Sequence, residues 1–152
     1  MVKAMGRRAM WRVLAIGMFL AAAGSANAQT QRASLEAGKQ RIEVEVAADE
    51  PTRQFGLMYR SHLPSDQGML FVYPSSIRIC MWMKNTLIPL SVAFLDEEGR
   101  ILNIEDMTPQ NEESHCSVKL ARYALEMNRG WFARHGVKAG DRIEGVKSLS
   151  AN

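Results

Sequence analysis

The sequence predicts a mainly β domain with short helices, an α+β fold in which a compact, mostly antiparallel sheet curls into a partly closed, barrel-like shape. Three observations carry this reading. The apolar runs are short and either alternate with polar residues or end in turn residues. The stretches with helical spacing are brief, and turn chemistry recurs between the runs, so strands dominate.

The elements follow in chain order. Lys3, Arg7, Arg8 and Arg12 precede an apolar run from Val13 to Gly24, and Ala26-Asn27-Ala28 offers a small-x-small cleavage site. That order predicts a signal peptide over residues 1–28, too short in its apolar part to cross a bilayer comfortably. The product is expected to be periplasmic or secreted, with no stable membrane span after cleavage. Residues 29–39, "QTQRASLEAGK", are small and polar and are expected to form a flexible lead-in to a single domain over residues 40–148. "RIEVEVA" alternates Ile42, Val44 and Val46 against charged residues, a half-buried strand. Asp49 or Glu50 can cap a helix over residues 51–59, with Pro51 in its first turn. "MLFVY" reads as a strand closed by Pro74, and "RICMWMKN" as an extended run broken by Pro89. "LSVAFLDEEGRILNIEDM" reads as a hairpin turning at Asp96–Gly99. Residues 107–119 form a polar loop, "ARYALEMN" a strand, "RGWFARHG" one or two helical turns ended by Gly136, and "VKAGDRIEGV" a turn into a last strand.

Removal of the signal peptide takes four of the 19 basic residues and none of the 16 acidic ones, leaving 15 against 16 and a net charge of −1. That balance supplies no field for phosphate, and nucleic acid is not expected as a partner. Cys80 and Cys116 are the two cysteines of the chain, and in an oxidising compartment they are expected to pair.

Period-two alternation puts Cys80, Trp82 and Lys84 on one face of their strand and Met81, Met83 and Asn85 on the other. The two methionines with His115 and Cys116 raise a soft-metal reading, a copper carrier, but methionines at alternate strand positions are usually core filling, and no zinc spacing exists. No metal site and no cofactor are therefore expected. Lys84, Asn85 and Thr86 end an apolar run just before a proline turn, where an ammonium and an amide can edge a cleft. Glu126 lies inside the apolar run "ALEM" and needs a basic partner, for which Arg53, Arg60 or Lys84 could serve. The adjacent acid pairs elsewhere sit on turns and read as solvated surface.

Taken together, "TRQFGLMYRSHLPSDQGMLFVY", "WMKNTLIPLSVAFLDEEGRI" and "YALEMNRGWFARHGVKAGDRI" resemble the successive blocks of domain-of-unknown-function family 192. The resemblance spans residues 40–146. It runs through Arg53, Gly56, Leu57, Met58 and Arg60, then Gly68 to Phe71, then Trp82, Met83, Asn85, Thr86, Pro89 and Leu90, and ends with Glu126, Trp131, Gly136, Gly140 and Asp141. It implies a small, strand-rich single domain and no activity. Cys80 and Cys116 depart from the pattern, which favours a bridge over a catalytic role for them.

The expected function is binding. Arg53, Arg60, Trp82, Lys84, Asn85 and Glu126 would converge on a cleft at the barrel rim and hold a small polar or anionic ligand of the cell envelope. The alternative is a hydrolase-like envelope enzyme with Glu126 as general base and Lys84 or Asn85 stabilising developing negative charge. A protein–protein interaction module and a periplasmic copper carrier stand further back. In this reading Trp82 is a buried framework residue, costly to truncate, whereas Asn85 can be changed without harm to the fold.

Overall fold

Alternation decides the sheet. A computed structural model describes residues 31–152, so the expected signal peptide lies outside the described residues. The strands are β1 (Arg32–Ala37), β2 (Gln40–Ala47), β3 (Gln67–Ile77), β4 (Cys80–Met81), β5 (Leu90–Leu95), β6 (Ile101–Met107), β7 (His115–Cys116), β8 (Ala121–Asn128) and β9 (Ile143–Glu144). Helix α1 spans Glu50–Phe55 and α2 spans Trp131–Arg134. Seven strands form one sheet in the order β6-β5-β8-β3-β2-β1-β9, and β4 pairs with β7 in a small second one. All pairings are antiparallel except β2 with β3.

The sheet curls until its two ends meet. Arg100, just before β6, bridges to Arg142, just before β9, and the Ile101 and Ile143 amides donate to Asp141 and Gly99 carbonyls. Inward-facing Ile42, Val44, Leu70, Val72, Leu125 and Met127 fill the interior, and Trp131 and Phe132 of α2 close one end of it. The expected mainly β, barrel-like fold is the one observed.

Four local differences have physical reasons. Residues 32–37 are not a lead-in but strand β1, which pairs along its whole length with β2 and turns Leu35 and Ala37 into the core. Helix α1 stops at Phe55, because Gly56 takes a φ of 51° and turns the chain away from the helix. Pro74 does not end β3; the register against β8 shifts between Val72 and Ile77, which accommodates a residue that cannot donate to the ladder. The run from residue 78 stays in a strand only at Cys80–Met81 and then turns, with the Thr86 amide donating to the Met83 carbonyl. The hairpin turn is as expected: Gly99 has a φ of 78°, and the Asp96 carboxylate accepts from the Glu98 and Arg100 amides.

Cys80 and Cys116 lie directly opposite each other on β4 and β7 and are joined by a disulfide. With a sequence separation of 36 between the cysteines, loop-closure entropy sets a ceiling of about 3–4 kcal/mol on its contribution. The Cys80→Ala, Cys116→Ala variant is expected to unfold at lower urea by no more than that ceiling. Intact-mass measurement after alkylation should find no reactive thiol in the wild type until it is reduced.

Candidate functional site

The central strands β3, β8 and β5 are buried on both faces. Their outer faces carry Met69, Phe71, Ala124, Val92 and Phe94, covered by Leu57, Leu63, Ile79, Met83 and Ile88 from the connecting segments. Into this apolar layer the alternation of β8 inserts one carboxyl, that of Glu126, only 4% exposed, with Met69 on β3 and Val92 on β5 as its cross-strand neighbours. No hydrogen bond or ion pair joins the carboxyl to another described residue. Burial alone pushes its pKa from the ordinary 4.5 up to about 8.

The basic partners expected for it are engaged elsewhere. Arg60 makes a bidentate pair with Glu45, both bonds 2.7 Å, and those bonds hold the Glu45 carboxyl below its usual range. Glu45 sits opposite Met69, and Met69 opposite Glu126, so Arg60 is anchored two strands away, roughly 10 Å at ~4.8 Å per strand. Lys84 lies over the Trp82 ring, with its ammonium 5.3 Å from the centroid. Arg53 comes closest in function, because it shares a cleft with Glu126.

Helix α1 forms one wall of that cleft. Asp49 caps it, accepting from the Thr52 amide at 2.8 Å and the Thr52 hydroxyl at 2.7 Å, with Pro51 in the first turn. This short, firmly started helix aims Arg53 at the sheet. The guanidinium donates to the Ala48 and Val72 carbonyls at 2.8 and 2.9 Å and to Glu50 at 2.9 Å, and it lies 5.1 Å from the Tyr73 ring centroid. Its side chain is 9% exposed, and its Nε is buried without a partner.

The opposite wall is the segment held by the disulfide. Met81 points into the core layer, whereas Trp82 is 48% exposed. The alternation expected here holds, but Trp82 is not the buried framework residue that its family position suggested; the strand ends after Met81, and the indole is left at the mouth. An inner recess of about 30 Å³ reaches Glu126, Arg53, Gly56, Phe71 and Thr86, space for a pair of waters or for the polar head of a ligand. An outer recess of about 170 Å³ shares Arg53, Gln54, Met81 and Trp82 with it and adds Glu50 and Tyr73.

Of the six site residues expected from the sequence, the structure brings Arg53, Trp82 and Glu126 together. Arg60 is a clamp on β2, and Lys84 and Asn85 line neither recess. Asn85 has a φ of 55°, and its carbonyl accepts from the Tyr59 amide at 2.9 Å, which docks the segment after α1 onto the turn. It is a backbone brace, contrary to the expectation that it could be changed freely. Asn85→Ala is expected to cost about 1 kcal/mol in urea melts, because alanine tolerates the left-handed region poorly, and Asn85→Gly close to nothing. Gln54, Tyr73 and Thr86 were missed as lining residues. Thr86, buried at a turn beside the expected pair, was the one with a sequence signal.

The soft-metal reading loses its thiolates and one of its two thioethers. Met83 is fully buried, and Cys80 and Cys116 are bonded to each other, which leaves no thiolate. Among the described residues no group of three or more His, Cys, Asp or Glu is placed to hold a metal. A wide, open recess near His62 and Arg134 is bordered by groups that serve the fold: Asp66 accepts from the Trp131 indole, Asn128 donates to Leu63 and Pro64 carbonyls, and Arg134 to the Arg129 carbonyl.

The model of domain-of-unknown-function family 192, described as "Uncharacterized ACR", matches residues 33–145. No curated protein matches the chain. Among solved structures, the chain is similar to a protein of Sinorhizobium meliloti 1021 provisionally described as a transcription regulator. That match has 38% identity and a TM-score of 0.70, and covers 76% of this chain and 93% of the other. A Novosphingobium aromaticivorans DSM 12444 protein of unknown function matches with 31% identity and a TM-score of 0.68, covering 73% of this chain and 81% of the other.

Proposed function

This chain belongs to domain-of-unknown-function family 192, and from that premise we propose that its cleft between α1 and Trp82 binds a small polar ligand, making the domain an exported binding module of the cell envelope. One observation carries the reading. Two polar groups that are costly to bury, the Glu126 carboxyl and the Arg53 Nε, are left without protein partners, and both residues line the same recess. A ligand oxygen in the recess would accept from the protonated Glu126 carboxyl. Arg53 has its charge answered by Glu50 at 2.9 Å, so a neutral ligand suits the site better than an anion.

The disulfide supports an oxidising compartment, and the basic-then-apolar start of the sequence supports export. Among the described residues no helix is long and apolar enough to cross a membrane. The description of the Sinorhizobium relative raises DNA as a partner; a net charge of −1 over residues 29–152 argues against it here.

The enzyme reading gains one observation and loses another. A carboxyl protonated to about pH 8 can give a proton at neutral pH, which makes Glu126 an acid rather than the base expected from the sequence. Lys84 and Asn85, however, do not reach the cleft to stabilise charge. Binding therefore stands first.

The test is a two-dimensional NMR titration of residues 29–152 with a library of small polar fragments, with duplex DNA as a further probe. Signals of Gln54, Gly56, Thr86 and the Trp82 indole are expected to shift together, and to stop doing so in Glu126→Leu. Shifts elsewhere, no shifts, or a salt-sensitive response to DNA would overturn the proposal.

A further inference from the structure

Phe55 and Trp82 stand exposed at the cleft, with Tyr59 beside Phe55, and this is unexplained by the fold. Phe55 is 55%, Tyr59 63% and Trp82 48% exposed, the first two on the α1 side and the third on the β4 side. Phe55 and Tyr59 stand 6.1 Å apart, tilted toward each other, and the Tyr59 amide is bonded to the Asn85 carbonyl, which brings their wall up to the Trp82 turn. Large aromatic surface left in water across a polar recess needs a reason, since burying each ring would stabilise the fold.

We propose that the cleft receives a neutral saccharide, one sugar ring lying against Trp82 at the mouth and one of its oxygens meeting the polar floor formed by Arg53, Gln54, Thr86 and Glu126. This rests on the reading that the cleft binds a small polar ligand. An aromatic face is electron-rich and attracts positively polarised hydrogens, and the C–H face of a pyranose presents a flat set of them. The Lys84 ammonium lies 5.3 Å from the indole centroid on an exposed side chain and helps to hold the ring in place. The floor offers planar or compact polar groups, Arg53, Gln54, Thr86 and Glu126, suited to hydroxyl and amide oxygens.

Charge and size select further. The guanidinium is neutralised by Glu50, which disfavours a phosphate or sulfate ester. The inner recess of about 30 Å³ admits only a substituent, and the outer one of about 170 Å³ has room for a single ring, so a chain of sugars would extend over Trp82 into solvent. A lipid surface would use the same rings but not the polar floor, and the outer recess carries the charge of Glu50.

Isothermal titration with the trisaccharide of N-acetylglucosamine and with cellotriose tests this, beside the fragment titration already described. Saturable binding of at least one trisaccharide is expected, weakened about tenfold in Trp82→Ala. Because Trp82 is half exposed, that variant should melt like the wild type, which separates lost binding from lost fold. If fragments shift the cleft signals but neither trisaccharide binds, the saccharide is wrong and the cleft reading stands. If neither probe binds, both fall. Trisaccharide affinity unchanged in Trp82→Ala also overturns the proposal. So does sedimentation with phosphatidylglycerol–phosphatidylethanolamine vesicles that Trp82→Ala abolishes, which would assign the aromatic rim to a membrane.

Discussion

Glu126→Gln is expected to stabilise the protein at pH 8 and above by several kcal/mol, while changing little at pH 5. The cause is a carboxyl whose folded pKa is raised by burial from 4.5 to about 8. Between those values the unfolded chain has released the proton and the folded one retains it, so the folded state binds more protons and stability falls as pH rises. The loss begins near pH 4.5 and is complete above about pH 8. At about 1.4 kcal/mol per pH unit the whole window amounts to roughly 5 kcal/mol, an order-of-magnitude ceiling. Glutamine keeps the shape and cannot ionise, so its thermal melts should lose most of this slope between pH 5 and 8. An equal slope in wild type and variant would show that another group is responsible.

The second large effect separates the tryptophans. Trp131 is 1% exposed, meets Phe132 edge-on at 5.5 Å, lies 4.2 Å from the His135 ring and donates its indole N–H to Asp66 at 3.1 Å. Trp131→Ala should cost about 3–5 kcal/mol, both as a cavity at the closed end of the barrel and as a lost partner for Asp66. Trp82→Ala removes a ring already half in water, and its cost is expected to stay below about 1 kcal/mol. Urea melts of the two variants compare them directly. A large loss from Trp82→Ala would mean that the cleft wall is part of the core.

These outcomes follow from what alternation can and cannot reveal. The inward rows of β2, β5 and β8 were legible because Ile42-x-Val44-x-Val46 and the apolar hairpin bury whole faces. Glu126 was legible as an anomaly because nothing else in its strand is acidic. Strand β1 was not: "RASLEA" offers the core one large side chain, Leu35, beside the small Ala33 and Ala37, and its backbone pairing with β2 leaves no mark on side-chain pattern. The partner of Arg60 was equally hidden. Glu45 reads as the wet face of a half-buried strand, and only the path of the chain after α1 brings the two together. Trp82 misled because its place in the alternation sets a direction and not whether anything covers it. The site was thus half visible: its residue types stand out, but their convergence depends on where α1 and the disulfide-held segment cross the sheet.

The disulfide has a consequence for how copies of this protein treat one another. Strand β6 is an edge of the large sheet, and such an edge invites a strand from another molecule. Here the segment after β7 lies across it. The Asn103 amide donates to the Cys116 carbonyl at 3.1 Å, and its oxygen accepts from the Val118 amide at 3.1 Å. The bond from Cys116 to Cys80 fastens that cover to the body of the domain. At the other end, β9 is only two residues long, too short to template a partner. The oxidised pair thus adds a covalent hold to a cover that the hydrogen bonds between Ser117 and Ile79 already seat beside the β6 border.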